Sequence, residues 1–247
     1  MSMSVLRKIH HLLFPRRCLL CGTVIKAGDR ICEGCNESLP FIGGSPCFFC
    51  GFSKSDCRCN QRRHFYDAIV APFYYEGEVA KGIRRLKFSG KAENADYFGE
   101  AVSVCIGHFY SELKFDYLTF VPETEDVINE RGYNQSRLIS ESISKRLNVP
   151  TKELLYKIFP TKPQRTLSAA ERVGNVLGVF EAADEAELKG KRILLIDDIK
   201  TTGSTLNECA KSLLIGGADS VFCAVAAISR SRNQDADTTA SETASQK

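Results

Sequence analysis

Eight of the chain's eleven cysteines fall between Cys18 and Cys59, spaced Cys18-x2-Cys21-x10-Cys32-x2-Cys35-x11-Cys47-x2-Cys50-x6-Cys57-x-Cys59. A segment this short cannot bury a core large enough to hold itself together, so its stability must come from bonds to sulfur. A Cys-x2-Cys turn aims two sulfurs at one tetrahedral metal ion, and Gly22 and Gly51 follow two of these turns. The eight residues therefore supply two four-sulfur sites, and consecutive and crossed pairings both suit the spacing. Iron–sulfur clusters would accept the same ligands, and disulfides would consume the same thiols. The redox compartment separates these outcomes. Met1 to Pro15 holds only a short apolar run, broken by Lys8, His10 and His11, with no small-residue cleavage site. No stretch is long and apolar enough to span a membrane. The chain reads as cytoplasmic with reduced thiols, so the expected metal is zinc: two ions in structural sites.

A chain of 247 residues has room for one α/β domain beside this module. Its 33 basic and 30 acidic residues neither demand nor exclude a nucleic-acid partner. Residues 1–16 read as an amphipathic helix with Val5, Ile9, Leu12 and Leu13 on one face, ended by Pro15 and docked on the protein's own body. Residues 17–64 are the cysteine module, with a polar, basic linker from Asn60 to His64. Residues 65–230 alternate strand and helix patterns. Strands are expected at 68–75, 117–121, 154–159, 191–196 and 221–228, and helices at 77–88, 96–113, 134–147 and 203–215. Such alternation implies a mainly parallel sheet flanked by helices. Cys105, Cys209 and Cys223 sit in apolar stretches and read as buried. Residues 231–247 hold no aromatic residue and only alanine as an apolar one, the composition of a disordered tail.

The chemistry concentrates in Ile193 to Thr205. An apolar run delivers Asp197 and Asp198 to the end of a strand, and Thr201, Thr202, Gly203, Ser204 and Thr205 then turn into a helix. Parallel sheets bind ligands at that edge. The backbone N–H groups of the turn meet the positive end of the helix dipole, which suits a phosphate, and Gly203 allows close approach. Two carboxylates beside that phosphate would accept hydrogen bonds from a sugar diol, so the pattern describes a ribose phosphate. An ordinary capped helix would need only one of these residues. The P-loop and dinucleotide-binding glycine patterns are both absent.

This segment resembles the phosphoribosyl-diphosphate (PRPP) signature of type I phosphoribosyltransferases. Arg131-Gly132-Tyr133-Asn134-Gln135 resembles a block of the ComF family. So do Leu86-Lys87-Phe88 with Gly90, and the series Thr161, Gln164, Leu167, Arg172, Asn175 and Phe180. The N-terminal cysteine module also fits that family's architecture, and the blocks stand in the family's order from Cys18 to about Ser229. The resemblance implies an α/β fold with a type I phosphoribosyltransferase-like parallel sheet and a small N-terminal zinc module of double zinc-ribbon type. It implies PRPP at Asp197, Asp198 and Thr201–Thr205, with Mg²⁺ on the diphosphate. It places Lys87, Arg131 and Gly132 toward the pyrophosphate, and Lys162, Gln164 and Arg172 in a loop that closes over the site. Purine-salvage relatives carry an aspartate where Thr201 stands, so hypoxanthine and guanine are disfavoured as acceptors. One departure stands out: Glu123 follows Val121-Pro122 and sets an acid beside the expected anion site.

Two functions follow from the resemblance: phosphoribosyl transfer to an acceptor, or a non-catalytic adaptor in the uptake of single-stranded DNA during natural transformation, with PRPP as regulator. Lys81, Arg84, Arg85, Lys87 and Lys91 could track a nucleic-acid backbone, but all except Lys87, which belongs to a family block, read rather as the solvated face of a helix whose apolar side carries Val79, Ile83 and Leu86. Neither the acceptor nor the oligomeric state is legible in the residues.

Overall fold

The computed structural model describes residues 15–59, 64–158 and 178–230. The helix expected near the N-terminus, the tail, most of the basic linker and the loop carrying Lys162, Gln164 and Arg172 lie outside the described residues. Within them the chain runs α1 (Glu33–Glu37), β1 (Ala68–Val70), β2 (Phe73–Tyr74), α2 (Gly77–Phe88) and α3 (Asn94–Phe109). It continues through β3 (Tyr117–Phe120), α4 (Glu125–Arg131), α5 (Gln135–Leu147), β4 (Leu155–Lys157) and β5 (Phe180–Ala182). The last elements are α6 (Glu185–Leu188), β6 (Arg192–Lys200), α7 (Ser204–Ile215) and β7 (Ser220–Ile228).

The main sheet is parallel, ordered β1–β7–β6–β3, with β2 also alongside β7. Its central strands alternate between two apolar layers, as the period of two requires. Leu194 and Ile196 of β6 face a core shared with Ile83, Phe98 and Ile143 of α2, α3 and α5. Ile193 and Leu195 face Leu206, Cys209 and Leu213 of α7 on the other side. Cys105, Cys209 and Cys223 are buried, as their settings suggested.

Three expectations need correction. The strand expected over 68–75 is two short strands, because Pro72 has no N–H to give to a ladder. The segment near residue 154 is a strand, but β4 pairs antiparallel with β5 in a separate two-stranded sheet. Helix α4 was not anticipated; none of its residues is buried, so it carries little apolar periodicity.

The cysteine module packs into the domain core. Leu20 is fully buried beside Phe98, and a side chain on Gly82 of α2 would start 2.4 Å from the Leu20 methyl. Asn94 donates to the carbonyls of Leu19 (2.8 Å) and Gly82 (2.9 Å), and Arg85 donates to that of Cys21 (2.9 Å). Arg85 is thus a structural tie between module and domain. The segment between the two cysteine clusters lies along the sheet edge. Ile42 N–H donates to the Pro72 carbonyl, Tyr74 N–H to Pro40, and Ile69 N–H to Phe48, each at 2.8–2.9 Å.

Leu20→Ala should therefore destabilise the whole protein by about 2–5 kcal/mol, the usual cost of emptying a buried leucine site. Urea unfolding followed by tryptophan-free probes, such as far-ultraviolet dichroism, should show one shifted transition. A domain transition left in place while the module alone loosens would refute the shared core.

Candidate functional site

Two sulfur clusters form in the module. The Sγ atoms of Cys18, Cys21, Cys32 and Cys35 lie within 4.8 Å of one another, as do those of Cys47, Cys50, Cys57 and Cys59. The pairing is therefore consecutive. Sulfur pairs stand 3.7 Å apart for Cys18–Cys35, 3.6 Å for Cys21–Cys32, 3.7 Å for Cys47–Cys59 and 3.6 Å for Cys50–Cys57. Four sulfurs about 2.3 Å from a tetrahedral zinc ion stand about 3.8 Å from each other, so the clusters fit that metal. Cys32 N–H also donates to the Cys18 sulfur at 3.3 Å.

The second cluster lies under the candidate ligand site. Tyr66 donates its hydroxyl to the Phe49 carbonyl, between Cys47 and Cys50, at 3.2 Å. A Cβ on Gly203 would stand 3.7 Å from that same hydroxyl oxygen and 3.0 Å from the Lys200 side chain. Lys200 is buried (6% exposed) and packs 5.9 Å from the Phe52 ring centre. The turn that starts α7 thus rests on the cysteine module.

Above this floor opens a cavity of about 560 Å³ at the carboxyl ends of β3 and β6. Asp197, Asp198, Thr201, Gly203 and Thr205 line it together with Lys87, Arg131 and Lys157. Thr202 and Ser204 are not on the wall. Their hydroxyls pair at 2.9 Å, and Thr202 Oγ1 accepts the Ser204 N–H at 3.3 Å, tying the first turn of α7. Gly203 takes φ +84°, a left-handed conformation that glycine adopts without strain.

The acids do not end the strand as expected. Backbone pairing of β6 with β7 continues to Lys200 opposite Ile228, so Asp197 and Asp198 sit inside a paired strand. Asp198 is buried, and Lys87 Nζ meets its Oδ2 at 2.7 Å. Burial alone would lower the Lys87 pKa, but the Asp198 carboxylate outweighs it and holds the amine above the ordinary lysine value. Asp197 is half-buried, and its Oδ1 accepts from Ser136 Oγ and Asp198 N–H, each at 2.8 Å. Its low-polarity surroundings, and then the Asp198 charge beside it, push its pKa up to about 7, against the pull of Lys87 and Ser136.

The cationic corner is built by the loop after β3, α4 and β4. Gly132, at φ +82°, closes α4 just after Arg131 but is not on the cavity wall. Asn134 then caps α5, accepting Arg137 N–H at 3.1 Å and donating to the Val121 carbonyl at 3.0 Å. Arg131 lies 5.1 Å from the Phe88 ring centre and donates to Gln135 Oε1 at 3.1 Å. Glu123 reaches both cations, at 3.5 Å from Arg131 and 3.4 Å from Lys157. Lys157 was missed in the sequence, although the strand alternation puts it on the side of buried Leu155. Phe88, Tyr75 and Ser136 were also not singled out as site residues. Lys162, Gln164 and Arg172 fall outside the described residues.

Residues 9–63 match the double zinc ribbon domain, and residues 134–246 match the phosphoribosyl transferase domain. Competence protein F of Haemophilus influenzae is 27% identical over 221 residues, covering 84% of this chain and 95% of the relative. Competence protein ComFC of Bacillus subtilis is 26% identical, covering 85% and 91%. DNA utilization protein YhgH of Escherichia coli is 29% identical, covering 85% and 96%. The chain is homologous to these competence and DNA-utilization proteins over most of its length. Solved structures resemble the chain more faintly. The allosteric regulatory enzyme of purine biosynthesis is 21% identical with a TM-score of 0.37, over 55% of this chain and 25% of its own. Adenine phosphoribosyltransferase from Thermoanaerobacter pseudethanolicus is 21% identical with a TM-score of 0.35, over 57% and 82%.

The raised Asp197 pKa carries a sign. Between the unfolded value near 4 and the folded value near 7, the folded chain holds a proton that the unfolded chain has lost. That contribution to stability is fully present below about pH 4, declines as pH rises to about 7, and is gone above it. Asp197→Asn should remove this dependence. The variant should gain stability relative to the wild type as pH rises from 5 to 8, measured by thermal unfolding of both. A constant difference across that range would refute the perturbed carboxylate.

Proposed function

We propose that this chain binds PRPP in the cavity at the end of β6 and transfers or recognises its phosphoribosyl group. The observation that carries the reading is the placement of a carboxylate pair beside a glycine turn at a helix start, with Lys87 paired to Asp198 and with Arg131 and Lys157 lining the same cavity. Thr201, Gly203 and Thr205 would receive the sugar's terminal phosphate, with the α7 dipole favouring the anion. Asp197 and Asp198 would accept from the ribose hydroxyls, and Arg131 and Lys157 would face the diphosphate. Mg²⁺, when bound with the ligand, would neutralise diphosphate charge and strengthen it as a leaving group.

In the transfer reaction an acceptor lone pair forms a bond to the anomeric carbon as the carbon–oxygen bond to diphosphate breaks, and the electron pair leaves with the diphosphate. The acceptor's proton goes to a base that the described residues do not identify. Two structural zinc ions in the cysteine clusters, residence in the cytoplasm and a part in DNA uptake belong to the same proposal. The relatives named for competence and DNA utilization support the last of these. A groove lined by Lys81, Arg84, Arg85, Phe88 and Ser89 favours a second reading, the adaptor, since basic residues beside an exposed aromatic suit single-stranded DNA. It adjoins the cavity through Phe88.

Calorimetric titration of PRPP with Mg²⁺ should give saturable binding. Asp197→Asn/Asp198→Asn should lose it, at about 1.5–3 kcal/mol per charged hydrogen bond removed. Dichroism must confirm that the variant folds, since Asp198→Asn also unpairs Lys87. Unchanged affinity in a folded double variant would refute the site. Pyrophosphate release in the presence of candidate acceptors separates enzyme from adaptor.

Metal analysis of the full chain, purified under reducing conditions, should find about two zinc ions per chain, one for each cysteine cluster. Iron in their place, or metal-free protein with four disulfides, would overturn that assignment.

A further inference from the structure

Four basic side chains (Lys87, Arg131, Lys157, Lys200) and four acidic ones (Glu123, Glu130, Asp197, Asp198) line the cavity. Among the described residues, a diphosphate ester entering it therefore meets a wall of mixed sign, not a purely cationic one. Lys87 is already held by Asp198, and Lys200 is buried beneath the phosphate turn. Among the described residues the cations left for the diphosphate are Arg131 and Lys157, and Glu123 bridges them with one carboxylate oxygen to each, at 3.5 and 3.4 Å.

We infer that Glu123 is an internal competitor, whose carboxylate occupies the anion corner between Arg131 and Lys157 and must withdraw before a diphosphate can use those cations. The inference rests on the reading of the cavity as a PRPP site and adds to it what limits the affinity. The alternative is that Glu123 merely positions the two cations. Arg131 has other anchors: the Phe88 ring at 5.1 Å and Gln135 Oε1 at 3.1 Å. Lys157 is fixed by its strand, paired opposite Phe180. Arg131 thus keeps two contacts without Glu123, and the Lys157 backbone keeps its place in the strand while its amine pairs with Glu123. The three side chains are only 28%, 20% and 11% exposed, so water screens their interactions weakly. Glu123 itself stands in the short connection between β3 and α4, where a long side chain can swing aside without disturbing the sheet. A divalent cation travelling with the diphosphate reduces its repulsion from Glu123, so the competition weighs most heavily on the metal-free anion.

The test uses the zinc-loaded full chain and inorganic pyrophosphate as the probe, titrated calorimetrically with and without Mg²⁺. Glu123→Gln should bind metal-free pyrophosphate about tenfold more tightly than wild type. Glu123→Ala should do the same, and the gain should shrink when Mg²⁺ is present. Glu130→Gln is the control. Glu130 lines the same cavity but has no ion-pair partner among the described residues, so its loss should change affinity by less than about threefold. An equal gain in Glu130→Gln would reduce the effect to net charge and overturn the inference. Wild-type binding with equal or weaker binding by both Glu123 variants would overturn the inference alone, and would leave Glu123 as a positioning residue. No pyrophosphate binding by any of the proteins would remove both the inference and the reading beneath it.

Discussion

The ligand end of the molecule depends on the length of β6. Its backbone stays paired with β7 from Arg192 to Lys200, and this places a carboxylate on either side of a rigid strand. An adjacent pair of acids on a loop would move apart to relieve repulsion. Held in the ladder, they must instead be compensated. Lys87, arriving from the end of α2, neutralises Asp198, while Asp197 takes hydrogen bonds from Ser136 and from the backbone and keeps an elevated pKa. Helices α2 and α5, packed on the sheet by their apolar faces, thus also bring Lys87 and Ser136 to the two acids.

The cysteine module belongs to the same physical unit. Cys18, Leu20 and Cys35 are buried in the core that contains Ile83 and Phe98. The second cluster, through Phe49 and Tyr66, supports the turn at Gly203. The cysteine clusters at the N-terminus and the candidate cavity at the sheet edge therefore share neighbours, although they lie far apart in sequence.

The sequence made the local features legible. The run from Asp197 to Thr205 is one continuous strand–turn–helix, so its residues announce their relation without tertiary information. The cysteine spacing likewise exposed both clusters, though not their pairing, which depends on how the two halves fold. Helix α2 was read to the residue because Val79, Ile83 and Leu86 mark one face. Features made by distant partners were harder to read. Strand β6 outlasts its apolar run because β7 pairs with it, overriding the poor strand propensity of aspartate. The site role of Lys157 requires β4 to leave the main sheet and pair with β5. Glu123 was visible as an odd acid, but its two cations come from α4 and β4, and only the fold brings them together.

The hydrogen bonds from Ile69, Tyr74 and Ile42 to and from the cysteine module cover the flank of β1 and β2 that faces away from β7. An uncovered flank of this kind, with Ala68, Ile69, Val70 and Phe73 along it, would be a template for pairing with strands of other molecules. The module thus also guards the protein against aggregation. Oxidation of its thiols, if it loosened the module, would expose this flank as well as the turn at Gly203, so solubility and the cavity would be disturbed together.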